Sequence, residues 1–182
     1  MTKRGAVVLA VIGAVGFLAL GTIVAVGAVQ GQFGVSQNLT LANCGPRHPQ
    51  GTVVHVDLTD LGGAMMGTGG AMMVSIFASP DIVASGTVTF VATNTGTLNH
   101  ELLVLPAPTD GVGTRPIGAD GKIDESTSLG EVSTSCGQGP GGGISPGTTS
   151  WVTLHLAPGN YELLCDVPWH YANGMFAGFT VR

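Results

Sequence analysis

Apolar and polar residues change rhythm four times along the chain. After Lys3 and Arg4, Gly5 to Val29 runs for 25 residues without a charge, Asn, Gln or Pro. A helix of about 20 apolar residues crosses a bilayer core, so the run predicts one N-terminal transmembrane helix. The apolar part of a cleaved leader is usually about 7–15 residues, so length favours a retained anchor; the small residues of Val26 to Ala28 leave cleavage as the alternative. From Thr52 the rhythm becomes period two. "TVVHVDLTD" (Thr52 to Asp60), "VSIFASP", and "GTVTFVATN" (Gly86 to Asn94) read as strands, with Val88, Phe90 and Ala92 on one face of the last. "TNTGTLN" reads as a hairpin connection returning through "HELLVLP" (His100 to Pro106). The stretch from about 107 to 147 loses all period and is rich in Gly, Pro, Ser and Asp, as an irregular insertion would be. Strand patterns then resume in "TSWVTLHL", "YELLCDV" and "MFAGFTVR".

About seven short strands, punctuated by turns and with no helical period after Val29, predict an all-β antiparallel Greek-key sandwich or barrel behind one membrane helix. The organisation is then an anchor over 1–30, a linker and entry segment over 31–50, and a β domain over 51–182. Basic residues before the span and none soon after it put the N-terminus in the cytoplasm and the β domain outside the cell membrane.

Composition sharpens this picture. Glycine numbers 30 and charged residues are 9% of the chain, which suits a sheet protein with long loops. Without Lys3 and Arg4, four basic residues face eleven acids, a net charge of −7. Such a domain repels nucleic acid and anionic lipid, and suits either a partner with a basic docking patch or simple solubility.

Cys165, His170 and Met175 stand at intervals of five in "LLCDVPWHYANGM". A sandwich gathers its loops at one end, where His100, opening a strand, can meet Cys165, closing one. A thiolate, two imidazoles and a weak thioether form the donor set that selects copper for one-electron transfer, whereas thioether is a poor zinc ligand. Alone, Cys165 would be a buried thiol and Met175 core filler; together with the two histidines they read as a metal site. His48, His55 and His155 lack ligand-like spacing.

"TVTFVATNTGTLNHELLVLP" followed by "PGNYELLCDVPWHYANGM" resembles the cupredoxins, and within them the membrane-anchored sulfocyanin-like group, related to rusticyanin and auracyanin. The resemblance implies one type 1 copper per chain held by His100, Cys165 and His170 with Met175 axial. It also implies electron exchange with redox protein partners such as a cytochrome or terminal oxidase. It implies no bond-making chemistry, hence no enzyme and no small-molecule substrate. Two features depart from it: Trp169 precedes the loop histidine where many relatives have a small residue, and the insertion is larger than a minimal cupredoxin needs. Trp169 is expected beside the edge of His170 as a docking contact or a cover. Asn99 is expected to order the site through hydrogen bonds, and Glu101 to be a neighbouring or surface acid on the opposite face of the strand. Cys44 and Cys136 are a disulfide pair or two free thiols, the disulfide being the simpler account in an oxidising compartment. Met65, Met66, Met72 and Met73 suggest an alternative role in copper storage or delivery, or else an adaptable apolar patch. A third alternative is an accessory copper subunit of a larger membrane complex.

Overall fold

A computed structural model describes residues 45–61 and 73–182. The apolar run over 5–29, Cys44, and Met65, Met66 and Met72 lie outside the described residues. Among the described residues no helix is long and apolar enough to cross a membrane.

The β domain is a two-sheet sandwich. One sheet has the order β2-β1-β4-β8, with β1 Thr52–Asp60, β2 Val74–Ser79, β4 Gly86–Asn94 and β8 Thr149–Leu156. The other has the order β3-β10-β9-β5-β6-β7, with β3 Ile82–Val83, β5 Leu102–Pro106, β6 Gly130–Thr134, β7 Gly139–Gly143, β9 Gly159–Leu164 and β10 Phe176–Val181. Period two does its expected work in β1, where Val54, Val56 and Leu58 are fully buried between exposed His55 and Asp57. These residues meet Val88, Phe90 and Ala92 of β4 and, from the opposite sheet, Leu102, Val104, Leu163 and Phe179 in one core. Phe90 and Phe179 touch edge to face across it, with ring centroids 5.1 Å apart.

Three expectations change. The sheets are mixed rather than antiparallel: β1 runs parallel to β4, β3 to β10, and β6 to β7. The chain leaves the first sheet after β2 and re-enters at β4, so β4 lies beside β1 in the same direction. "TNTGTLN" is not a hairpin, because β4 and β5 belong to different sheets and the turn bridges them. Finally, the irregular insertion ends at 129. "GEVST" and "GPGGG" form β6 and the edge strand β7. A glycine edge strand contributes backbone hydrogen bonds without any apolar alternation, so it leaves no period to read.

The segment 107–129 covers the outer face of the second sheet. There Ile123 packs with Leu103, Leu105, Leu164 and Tyr171 in a second buried cluster, with Phe176 against it. All of Leu102 to Leu105 is therefore buried, alternately toward the two clusters.

Candidate metal centre

The inward row of β1 ends in a charge. After Val54, Val56 and Leu58 comes Asp60, 8% exposed, and the inward row of β4 likewise ends in Asn94, fully buried. These two side chains build the turn that precedes His100. Asn94 Nδ2 donates to the carbonyls of Leu98 (2.7 Å) and Ile144 (2.6 Å), while its Oδ1 accepts from Gly96 N–H at 2.9 Å. The Asp60 carboxylate accepts from Thr97 N–H (2.7 Å), Thr97 Oγ1–H (2.7 Å), Leu98 N–H (3.0 Å) and His100 Nε2–H (2.9 Å). Burial alone would push the Asp60 pKa up; the bonds from Leu98, Thr97 and His100 overcome it and hold the carboxyl far below the usual range.

That carboxylate settles the state of His100, which is fully buried. An ionised carboxylate only accepts, so Nε2 carries the proton and Nδ1 presents a lone pair. Nδ1 of His100 lies 3.2 Å from Nδ1 of His170, and Nδ1 of His170 lies 3.4 Å from Cys165 Sγ. Burial lowers the pKa of His100 despite Asp60, and burial followed by the neighbouring His100 lowers that of His170 to about 4. Both rings are thus neutral at neutral pH. Something positive has to stand between two imidazole nitrogens at that distance: the Nδ1 proton of His170 in the metal-free protein, or a metal ion.

Cys165 follows β9 and is fully buried, which pushes its thiol up to about 12 without a metal. Its Sγ accepts the backbone N–H of Glu101 at 3.2 Å. The loop that follows closes on itself: Cys165 N–H donates to Met175 O (3.1 Å), Met175 N–H to His170 O (3.1 Å), and His170 N–H to Val167 O (2.9 Å). Met175 is fully buried and shares the core with Cys165. His170 is 3% exposed, and Trp169 beside it 52%.

His100, Cys165 and His170 place three donor atoms within 4.8 Å of one another. One ionisable sulfur and two neutral nitrogens converge, with a thioether residue packed alongside and no carboxylate among the donors. That set suits copper better than a closed zinc tetrad or an oxygen-seeking cation. The cluster fits one type 1 copper site.

A family model for the sulfocyanin (SoxE) domain matches residues 64–182, well over half of the chain. The chain belongs to the sulfocyanin domain family. Among solved structures it is similar to rusticyanin from Thiobacillus ferrooxidans (22% identity, 73% of this chain and 79% of that one, TM-score 0.43). It is also similar to dithionite-reduced auracyanin from Roseiflexus castenholzii (18%, 74% and 99%, TM-score 0.43) and to auracyanin B (18%, 78% and 95%, TM-score 0.46). A search of curated proteins found no match. The sulfocyanin match begins after β1, so Asp60 lies outside the matched span.

The remaining candidates take distinct places. Asn99 Nδ2 donates to Gly142 O at 3.1 Å, tying the turn to the edge strand β7 rather than to a ligand. The Glu101 carboxyl is half-buried, and burial raises its pKa to about 7 against the opposing charge of Lys122. Cys136, at φ 60°, is disulfide-bonded. Met73 is 63% exposed. Asp60 was absent from the sequence-based set, although its inward register in "VVHVDLTD" was the available signal: an acid on the buried side of a strand needs a partner.

Proposed function

We propose that this sulfocyanin domain is a membrane-tethered one-electron carrier, held by its N-terminal apolar segment on the outer face of the cell membrane. It exchanges electrons with protein partners such as a cytochrome or terminal oxidase and makes or breaks no substrate bond. The observation that carries this reading is the buried convergence of Cys165 Sγ with Nδ1 of His100 and His170.

Copper, when bound there, supplies a Cu(I)/Cu(II) couple in a donor set intermediate between the preferences of the two oxidation states. The chain's own residues do the rest. Asp60 holds the His100 ring in one tautomer and orientation. Glu101 N–H donates to the Cys165 sulfur, favouring its thiolate, and the Cys165–Met175 backbone bond keeps Met175 beside Cys165, where its thioether would be available to copper. Burial of all three donors excludes water, which removes solvent reorganisation from the cost of electron transfer. His170, with exposed Trp169 before it, is the ligand nearest the surface and the exit route of this reading. The acidic domain surface favours a partner with a basic face.

The test is the visible absorption and electron paramagnetic resonance spectrum of the full chain in detergent, loaded with one equivalent of Cu(II). An intense thiolate-to-copper band with a small parallel hyperfine splitting, both lost in Cys165→Ala, is the expected result. An ordinary tetragonal Cu(II) signal indifferent to Cys165→Ala would refute the carrier.

A further inference from the structure

The ligand loop carries a second row of residues with the same spacing as the first. Cys165, His170 and Met175 recur every five residues, and so, one position later, do Asp166, Tyr171 and Phe176. Cys165 and His170 of the first row meet at the site, with Met175 bonded to both through its backbone; the second row meets the segment 107–129. Ile123 N–H donates to Asp166 Oδ1 at 2.7 Å, and Lys122 Nζ lies 3.5 Å from Asp166 Oδ2. Arg115 N–H donates to Tyr171 Oη at 3.1 Å. Gly113 packs against the tip of the Phe176 ring, so close that a Cβ there would overlap its Cζ. Tyr171 and Phe176 themselves touch, with centroids 5.2 Å apart.

Two more contacts complete the grip. Trp169 N–H donates to Gly121 O at 2.9 Å, and a Cβ on Gly121, whose φ is +81°, would stand 2.7 Å from the indole Cδ2. Beneath them Glu162 of β9 is fully buried and accepts from Gly113 N–H (2.6 Å), Arg115 Nε (2.5 Å) and Tyr171 Oη–H (3.0 Å). Arg115 also donates through Nη2 to Pro106 O at 2.5 Å, where the segment begins.

We infer that 107–129 is a brace that holds Cys165, His170 and Met175 in place before any metal arrives, by gripping the residue that follows each of them. Gly113, Arg115, Gly121 and Ile123 are its positioning residues. The inference rests on the reading of those three residues as ligands. A loop fixed through its outward row has one arrangement to offer, so metal entry and a change of oxidation state meet a site already formed.

Amide hydrogen exchange of the metal-free full chain in detergent tests this directly. The amides of Trp169, His170, Gly174 and Met175 are expected to exchange within about tenfold of β9 and β10 amides, as buried packed structure does rather than as a surface loop does. Gly121→Ala and Arg115→Ala should each speed the loop amides at least about tenfold more than they speed the β4–β8 amides. In the copper-loaded protein Arg115→Ala should broaden the parallel hyperfine lines and Arg115→Lys should narrow them again. Loop amides of the unaltered chain exchanging as fast as those of exposed connections would overturn the brace even if a variant failed to fold. So would folded variants whose loop amides or line widths are unchanged. A protected metal-free loop without a type 1 spectrum would refute the copper reading and leave the brace standing; a type 1 spectrum over a freely exchanging loop would do the reverse.

Discussion

His100 and the Cys165–Met175 loop bring donors to one point, yet they are held from opposite sides. His100 is anchored from inside the sandwich, by a buried carboxylate at the end of β1 that also organises the preceding turn. The loop is anchored from outside, by a segment laid over the second sheet. The inner anchor is short-range and charged, and so it fixes a ring, a tautomer and a local field. The outer anchor is spread over many contacts, which suits it to fixing a stretch of backbone. Immobilising a metal ligand is thus two problems, and this chain solves them with different physics.

The difference can be broken most forcefully at the outer anchor. Arg115→Ala leaves the Glu162 carboxylate buried without its cation and should cost about 3–5 kcal/mol in chemical denaturation. Arg115→Met with Glu162→Gln removes both charges and should recover much of that loss.

Acid acts on the metal-free site through His170. Its folded pKa, about 4, lies below the ordinary value of 6.5. Between these values the unfolded chain binds a proton that the folded chain refuses. Stability should therefore fall as pH drops from about 6.5 to 4, by roughly 3 kcal/mol from this group, and level off below. Denaturation midpoints of metal-free protein across that window measure it; a flat profile would show that His170 is free to protonate in the fold.

The inner anchor is sharpened by Asp60→Asn, which keeps a hydrogen-bond acceptor but removes the charge. The reduction potential of the loaded protein should rise, because a nearby negative charge favours Cu(II). The expected size is on the order of 100 mV, or roughly 2 kcal/mol at an effective dielectric near 20. Arg115→Ala should move the potential less, so voltammetry of the two variants separates the anchors. The smallest effect belongs to Asn99→Ala, whose exposed bond to Gly142 should be worth under about 1 kcal/mol by thermal melting.

Much of this was legible in the chain. Period two placed β1, β4 and β8, and the interval of five picked out Cys165 and His170, which the fold gathers with His100. The anchors were harder to read. Asp60 lies forty positions from His100, and only its inward register marked it. Glu162 stands in the outward row of β9, where an acid ordinarily meets solvent; what buries it is a segment with no period of its own. The unbroken run Leu102 to Leu105 carried the hint that this sheet is covered on both faces, since a strand open to water on one side alternates. Parallel pairing was not readable at all, because it depends on which sheet the chain re-enters and not on any local pattern.

Trp169 sits at φ 71°, in the left-handed region where a side chain costs roughly 1–2 kcal/mol. About half of its surface is covered, a gain of roughly 2 kcal/mol at 25 cal/mol per Å² after allowing for a compact unfolded chain. Strain and packing nearly cancel. Folding therefore gains little from an indole here over a glycine, and the Trp169 backbone N–H that meets Gly121 O would survive the exchange.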